Sequence, residues 1–123
     1  SEIGAETVII KTDYHLLERV IQNILENAQK YSPNSPEIEL RSFVSGSEFI
    51  IEIQDNGNGV SVKEQQKIFD KFYRISEGNR HDIKGLGLGL YLSQKMMKSI
   101  GGSISIKSKL GEGSTFILKI PII

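Results

Sequence analysis

Apolar residues recur in pairs four positions apart along "TDYHLLERVIQNILENAQKYS", as Leu16, Leu17, Val20, Ile21, Ile24, Leu25 and Ala28. That spacing predicts a helix with one buried stripe, and Thr12 or Asp13 stands where a side-chain oxygen can cap its first turn. "SPNSP" ends the helix, because Pro33 and Pro36 lack the amide hydrogen and restrict the residues before them. The period then changes. "EIELRSF" and "EFIIEIQ" read as two strands of a hairpin joined by the turn-prone "SGS". Beyond "DNGNGVS" comes a short helical piece, "VKEQQKIFDKFYR", and then the charged, glycine-containing "ISEGNRHDIKG", which has little to bury and reads as a mobile loop. A second long helix is expected from about Leu88 to Ile100, ended by Gly101 and Gly102. "GSISIKS" and "STFILKI" form a second hairpin around "KLGEG", and "TVIIK" near the start reads as an edge strand. The order predicts an α+β protein, a two-layer α/β sandwich. Its sheet would be mixed and mostly antiparallel, of about five strands, with about three helices on one face.

At 123 residues, 38% apolar and 24% charged, the chain has the balance of a single domain that buries roughly two-thirds of its unfolded surface. Its 15 basic and 15 acidic residues cancel, so no global field favours nucleic acid or an anionic membrane, and any nucleotide must be held locally. The absence of cysteine removes disulfides and thiolate metal sites. No apolar run approaches the ~20 residues needed to cross a bilayer, so the chain reads as soluble. The start at Ser1 and the strand-like "FILKIPII" at the end lead us to expect an excised domain.

"KGLGLGLYLSQKMMKSIGG" places Gly85, Gly87 and Gly89 at alternate positions before a helix-favouring run. A dinucleotide fingerprint would need a third glycine where Leu90 stands, directly after a strand. A close-packing membrane helix would not carry Gln94, Lys95 and Lys98. A glycine-rich turn feeding a helix N-terminus, where free amides and the positive dipole end meet phosphate, fits the position; so does a turn that merely starts a helix. "DNGNG", at 55–59, lacks the oxygen ligands of a calcium loop. It reads either as a tight turn or as a strand-end carboxylate, Asp55, that accepts from an exocyclic amine such as adenine's, with Gly57 and Gly59 letting a flat base approach. In the first helix Asn23, Asn27 and Lys30 lie four and three apart on one face, with Tyr31 close by. Their amide oxygens suit magnesium and the ammonium suits phosphate, although solvent-facing asparagines are an ordinary alternative.

Together, and in this order, "NILENAQKYS", "DNGNG", "IFDKFYR", "GLGLGL" and "GEGSTF" resemble the N box, first glycine box, F box, second glycine box and final glycine-bearing turn of the catalytic, ATP-binding domain of bacterial two-component histidine kinases. The wider superfamily includes gyrase-type topoisomerases, mismatch-repair ATPases and ATP-driven chaperones, and shares the Bergerat-type ATP-binding fold. The resemblance covers nearly the whole chain and implies one ATP-binding catalytic domain over 1–123. It implies ATP and Mg2+ as ligands. Asp55 would select adenine, with Gly57 and Gly59 opening the base pocket. Asn27 would coordinate magnesium, with Asn23 beside it and Lys30 and Tyr31 near phosphates and sugar. Phe69 and Phe72 would anchor the near end of an ATP lid, and Arg74 would reach the γ-phosphate. Gly85, Leu86, Gly87, Leu88 and Gly89 would wrap the phosphates at the lid's far end. Asn23, Lys30 and Arg74 are the expected catalytic set.

Two departures add information. Chaperones and topoisomerases of the superfamily carry a water-activating glutamate about one helical turn before the metal-binding asparagine, and this chain has Asn23 there; an amide cannot take a proton from water at neutral pH, which suits transfer to a separate nucleophile better than hydrolysis. Glu26 points about 100° from Asn27. Leu86 replaces the threonine or serine of many kinases, so a hydroxyl contact to phosphate would be missing. Neither His15 nor His81 lies in a phosphoacceptor-like sequence, and both read as surface histidines. The acceptor histidine is therefore expected on a separate helical dimerisation domain of the parent chain, with a response regulator downstream. The expected location is cytoplasmic, with a parent chain that the resemblance allows to be anchored in the bacterial cytoplasmic membrane. The domain alone is expected to be a monomer without nucleic-acid or direct membrane contact. A serine kinase of the anti-sigma-factor type and a non-catalytic protein-binding module on the same fold remain alternatives.

Overall fold

The structure, a computed structural model, describes residues 13–31, 37–71 and 89–122, with the side chains of 29–31 outside that description. Helix α1 spans Tyr14–Tyr31. Asp13 caps it: its Oδ1 accepts the Leu16 amide at 3.1 Å and its carbonyl accepts the Leu17 amide at 3.0 Å. Val20, Ile24 and Ala28, four apart, are buried, as the stripe predicts. Strands β1 (Ile38–Ser45) and β2 (Glu48–Asp55) form the first hairpin. Helix α3 (Gly89–Ser99) and strands β3 (Ser103–Ser108) and β4 (Ser114–Pro121) complete the described elements, with α2 (Val62–Gln65) between the hairpins.

The four described strands form one sheet in the order β1-β2-β4-β3, and every pairing is antiparallel. The two hairpins therefore join through β2 and β4, with Ile53 opposite Phe116 and Ile51 opposite Leu118. These four face the helices, and with Val20, Ile24, Met97, Ile104 and Ile120 they form one buried cluster. Alternation along the strands sends Arg41 and Glu52 to the opposite face, where they pair at 3.3 Å. Helices on one face of the sheet give the α+β sandwich its two layers; the other face is mixed, its charged pair flanked by the buried Ile50 and Ile117 and the exposed Phe43. The predicted strand "TVIIK" lies outside the described residues.

The helical piece predicted over "VKEQQKIFDKFYR" is shorter than expected. Of its described residues only Val62–Gln65 is α-helical, with Ser61 Oγ accepting the Glu64 amide at 3.3 Å. The Glu64 carbonyl then takes the amides of both Lys67 and Ile68, and Lys67 takes that of Asp70, so the chain tightens into successive turns up to Lys71. The gain is placement rather than helix length: Ile68 is buried in the core, and the Phe69 ring meets Phe116 edge-on at 6.5 Å. A single turn has little stability of its own, and these two apolar anchors hold it.

Helix α3 ends as its glycines predict. Gly101, at φ +79°, donates to the Lys98 carbonyl at 3.1 Å and Gly102 to the Met97 carbonyl at 2.8 Å, the paired bonds of a Schellman cap. A Cβ on Gly102 would stand 2.3 Å from the Lys119 carbonyl oxygen, so the absence of a side chain lets the helix exit lie against β4.

Candidate functional site

Asp55 is the last residue of β2, a central strand, facing Ile38 of β1 on one side and Ser114 of β4 on the other. Its Oδ1 accepts the Gly57 amide at 2.8 Å and the Ser114 amide at 3.3 Å. Both bonds fall on the same oxygen. Among the described residues Oδ2 accepts no hydrogen bond, so the carboxylate is oriented through one oxygen and retains the other for an incoming donor. The first bond turns the chain back on itself immediately after the strand, and the Gly57 backbone is buried in that turn. Next to it, Asn56 Oδ1 accepts the Glu37 amide at 3.0 Å, which closes the start of β1 over the loop.

The loop continues through Gly59, at φ +76°, where a Cβ would stand 2.0 Å from the Lys109 carbonyl oxygen. Gly113, at φ +82°, repeats the arrangement: a Cβ there would stand 2.1 Å from the Asp55 carbonyl oxygen. Each glycine lets one loop's backbone lie directly on the other's. The Gly111 amide donates to the Asn58 carbonyl at 2.8 Å across the same seam. The turn between β3 and β4 and the loop after β2 are thus packed together backbone to backbone.

On the helical side, Asn23 and Asn27 are both half-buried. Asn23 Nδ2 donates to Ser93 Oγ at 3.1 Å and, more weakly, to the Gly89 carbonyl at 3.4 Å. Ser93 is fully buried, so this amide ties α1 to the first turn of α3. Asn27 makes no hydrogen bond among the described residues, and its carboxamide oxygen remains available as a hard ligand of the kind magnesium takes. Glu26 is exposed and shares with Asn23 a groove of about 430 Å3 along α1 whose lining does not include Asn27. His15 is exposed as expected, its ring edge-on to Tyr14 at 5.5 Å.

The structure therefore brings Asp55, Gly57 and Gly59 into one loop and ties Asn23 of α1 to the start of α3, whose first residue is Gly89, with Asn27 one helical turn further along α1. Phe69, half-buried, packs against the core at the end of the short helical segment. Phe72, Arg74, His81, Gly85, Leu86, Gly87 and Leu88 lie outside the described residues, as do the side chains of Lys30 and Tyr31. Sequence reasoning did not single out Ser93, Ser108, Ser114 or Gln65, which hold these elements together. For Ser93 a signal existed: it lies four residues before Met97, and the two are the buried residues of α3.

The sandwich thus carries a strand-end carboxylate, Asp55, anchored through one oxygen, and two asparagines one helical turn apart on α1. The family described as "Histidine kinase-, DNA gyrase B-, and HSP90-like ATPase" has a sequence profile that matches residues 12–123, and the chain belongs to it. Within that family it is a catalytic-type domain of the histidine kinase superfamily. It is 36% identical over 109 residues to the sensor protein SrrB of Staphylococcus aureus, covering 89% of this chain and 19% of SrrB. The chain thus spans about a fifth of that relative's length. Among solved structures, the mycobacterial sensor histidine kinase MprB superposes with a TM-score of 0.82 at 24% identity, over 92% of this chain and 76% of that one. The full-length ShkA structure, solved in complex with AMPPNP, gives 0.79 at 25% identity, over 94% of this chain and 23% of ShkA. No described helix is long and apolar enough to cross a membrane.

Proposed function

We propose that this domain binds Mg-ATP and donates its γ-phosphoryl group to a histidine on a separate helical dimerisation domain, as one half of a two-component sensor kinase. The observation that carries the reading is Asp55, at the end of a central strand: one carboxylate oxygen is fixed by two backbone amides and the other is open among the described residues. Such a group accepts from the exocyclic amine of adenine, and at that ring position guanine presents a carbonyl. Asn27 suits the magnesium ion through a carboxamide that has no hydrogen-bond partner among the described residues, and the ion, when bound, would supply charge neutralisation on the phosphates. Lys30 and Arg74 would add positive charge there. The domain's own contribution to rate is positioning and electrostatic stabilisation. In the transfer the acceptor imidazole nitrogen bonds to the γ-phosphorus as the bond from that phosphorus to the β,γ-bridging oxygen breaks, releasing ADP.

Asn23 supports transfer over hydrolysis. Its amide is occupied with Ser93 and Gly89, and an amide does not act as a base toward water. The test is incubation with radiolabelled ATP and magnesium, with and without the helical domain of the parent kinase. Label should appear on that domain, in an acid-labile and base-stable form, only when both domains are present. Label on an anti-anti-sigma-type substrate instead would favour the serine kinase alternative. Steady phosphate release without any acceptor would contradict the reading. Sedimentation of the domain alone should give a concentration-independent monomer.

A further inference from the structure

Ser108, the last residue of β3, uses every hydrogen-bonding position that its hydroxyl has. Its Oγ lies 2.7 Å from the Val60 amide nitrogen, 2.7 Å from the Gly113 carbonyl oxygen and 2.9 Å from Ser114 Oγ. The Val60 amide can only donate and the Gly113 carbonyl can only accept. The single Ser108 hydrogen therefore goes to Gly113, and the Ser114 hydroxyl donates to Ser108. This fixes the rotors of both serines. Gln65 reinforces the same point, its Nε2 donating to the Val60 carbonyl at 2.7 Å and to the Ser108 carbonyl at 2.9 Å.

The residues that Ser108 holds are those on either side of Asp55. Gly113 lies with its Cα against the Asp55 carbonyl, Ser114 donates its amide to Asp55 Oδ1, and Val60 ends the loop that Asp55 begins. We infer that Ser108 is a positioning residue for nucleotide selection: through Val60, Gly113 and Ser114 it sets the direction of the Asp55 carboxylate, and so the preference for adenine. This rests on the adenine reading of Asp55. Ser108 acts through these neighbours rather than on the nucleotide itself.

Affinities for ATP and GTP are measured by titration on wild type, Ser108→Ala and Ser108→Thr, at a temperature where the circular dichroism of each variant matches wild type. Alanine removes the acceptor of one amide and the donor to one carbonyl. Its ATP dissociation constant should rise about tenfold or more, while GTP binding, which does not use the carboxylate's open oxygen, stays the same. Threonine keeps the hydroxyl at a position where a β-branched residue suits a strand, and should restore ATP affinity to within about threefold of wild type. A lower unfolding midpoint for Ser108→Ala with unchanged ATP affinity of the folded protein would reduce Ser108 to a structural support and overturn the inference.

Should Ser108→Ala not fold, amide exchange on wild type decides. Saturating ATP should slow exchange at both Val60 and Ser114, and unchanged rates at both would overturn the inference. A wild type that binds no ATP overturns the nucleotide reading and the inference with it. A wild type that binds, loses binding in Asp55→Asn and keeps it in Ser108→Ala overturns the inference alone.

Discussion

Asp55 shows how one side chain divides its work between two atoms. Because Oδ1 alone receives the Gly57 and Ser114 amides, Asp55→Asn can keep both bonds through its carbonyl oxygen while placing an NH2 where the open carboxylate oxygen stood. The fold should survive with an unfolding midpoint within a few degrees of wild type, and ATP binding should weaken by roughly 1.5–3 kcal/mol or more, the worth of a hydrogen bond to a charged group; titration of the folded variant checks it. Gly59 and Gly46 make a second comparison. Both have positive φ, but a Cβ on Gly59 meets the Lys109 carbonyl oxygen at 2.0 Å whereas one on Gly46 meets nothing within 4 Å. Gly46→Ala should cost about 1 kcal/mol from the backbone alone, and Gly59→Ala at least about 2–3 kcal/mol, read from denaturant midpoints. "DNGNG" made Asp55 and both of its glycines legible as a candidate site. The packing demand on Gly59 was not legible, because its neighbour Lys109 lies fifty residues away in the sequence and only the fold brings them together. The serines were hidden for a related reason: nothing local separates a hydroxyl that organises two loops from one that faces water.

Among the elements, α1 was readable almost residue by residue, since its buried stripe repeats with the helical period and Asp13 marks its start. Its pairing with α3 was not. Asn23 lay on the face suspected of chemistry, and the structure gives it a tie to the buried Ser93 as well. Asn23→Ala should therefore lower stability by about 1 kcal/mol through loss of that contact. Amide exchange in the first turn of α3 should speed up more than exchange at the centre of the sheet, because the broken tie acts locally. Uniform acceleration across the molecule would contradict this. The segment after Ser61 shows the opposite failure of pattern reading. Ile68 and Phe69 follow one another rather than recurring at helical spacing, so packing of these anchors decides the backbone, and turns replace the longer helix that composition suggested.

At the scale of the whole molecule, alternation along four strands made the two-layer sandwich legible, whereas the order β1-β2-β4-β3 depends on the nonlocal pairing of β2 with β4. That pairing also puts Asp55 beside Ser114, so the same long-range register builds the core and the candidate site. Leu118, fully buried between them and the helices, should on truncation to alanine cost about 2–5 kcal/mol in denaturant unfolding. Neither the loss of a surface ion pair such as Arg41 with Glu52 nor that of any other exposed pair should cost more than about 1 kcal/mol. The central claim is that this sandwich holds an adenine nucleotide through Asp55. Thermal unfolding of the domain with ATP or GTP, each with and without magnesium, tests it most directly. ATP at a hundred times its dissociation constant should add ~2.7 kcal/mol, a rise on the order of ten degrees for a domain of this size, with no rise for GTP and none for ATP with Asp55→Asn. An unchanged midpoint at millimolar ATP, or an equal rise with GTP, would contradict it.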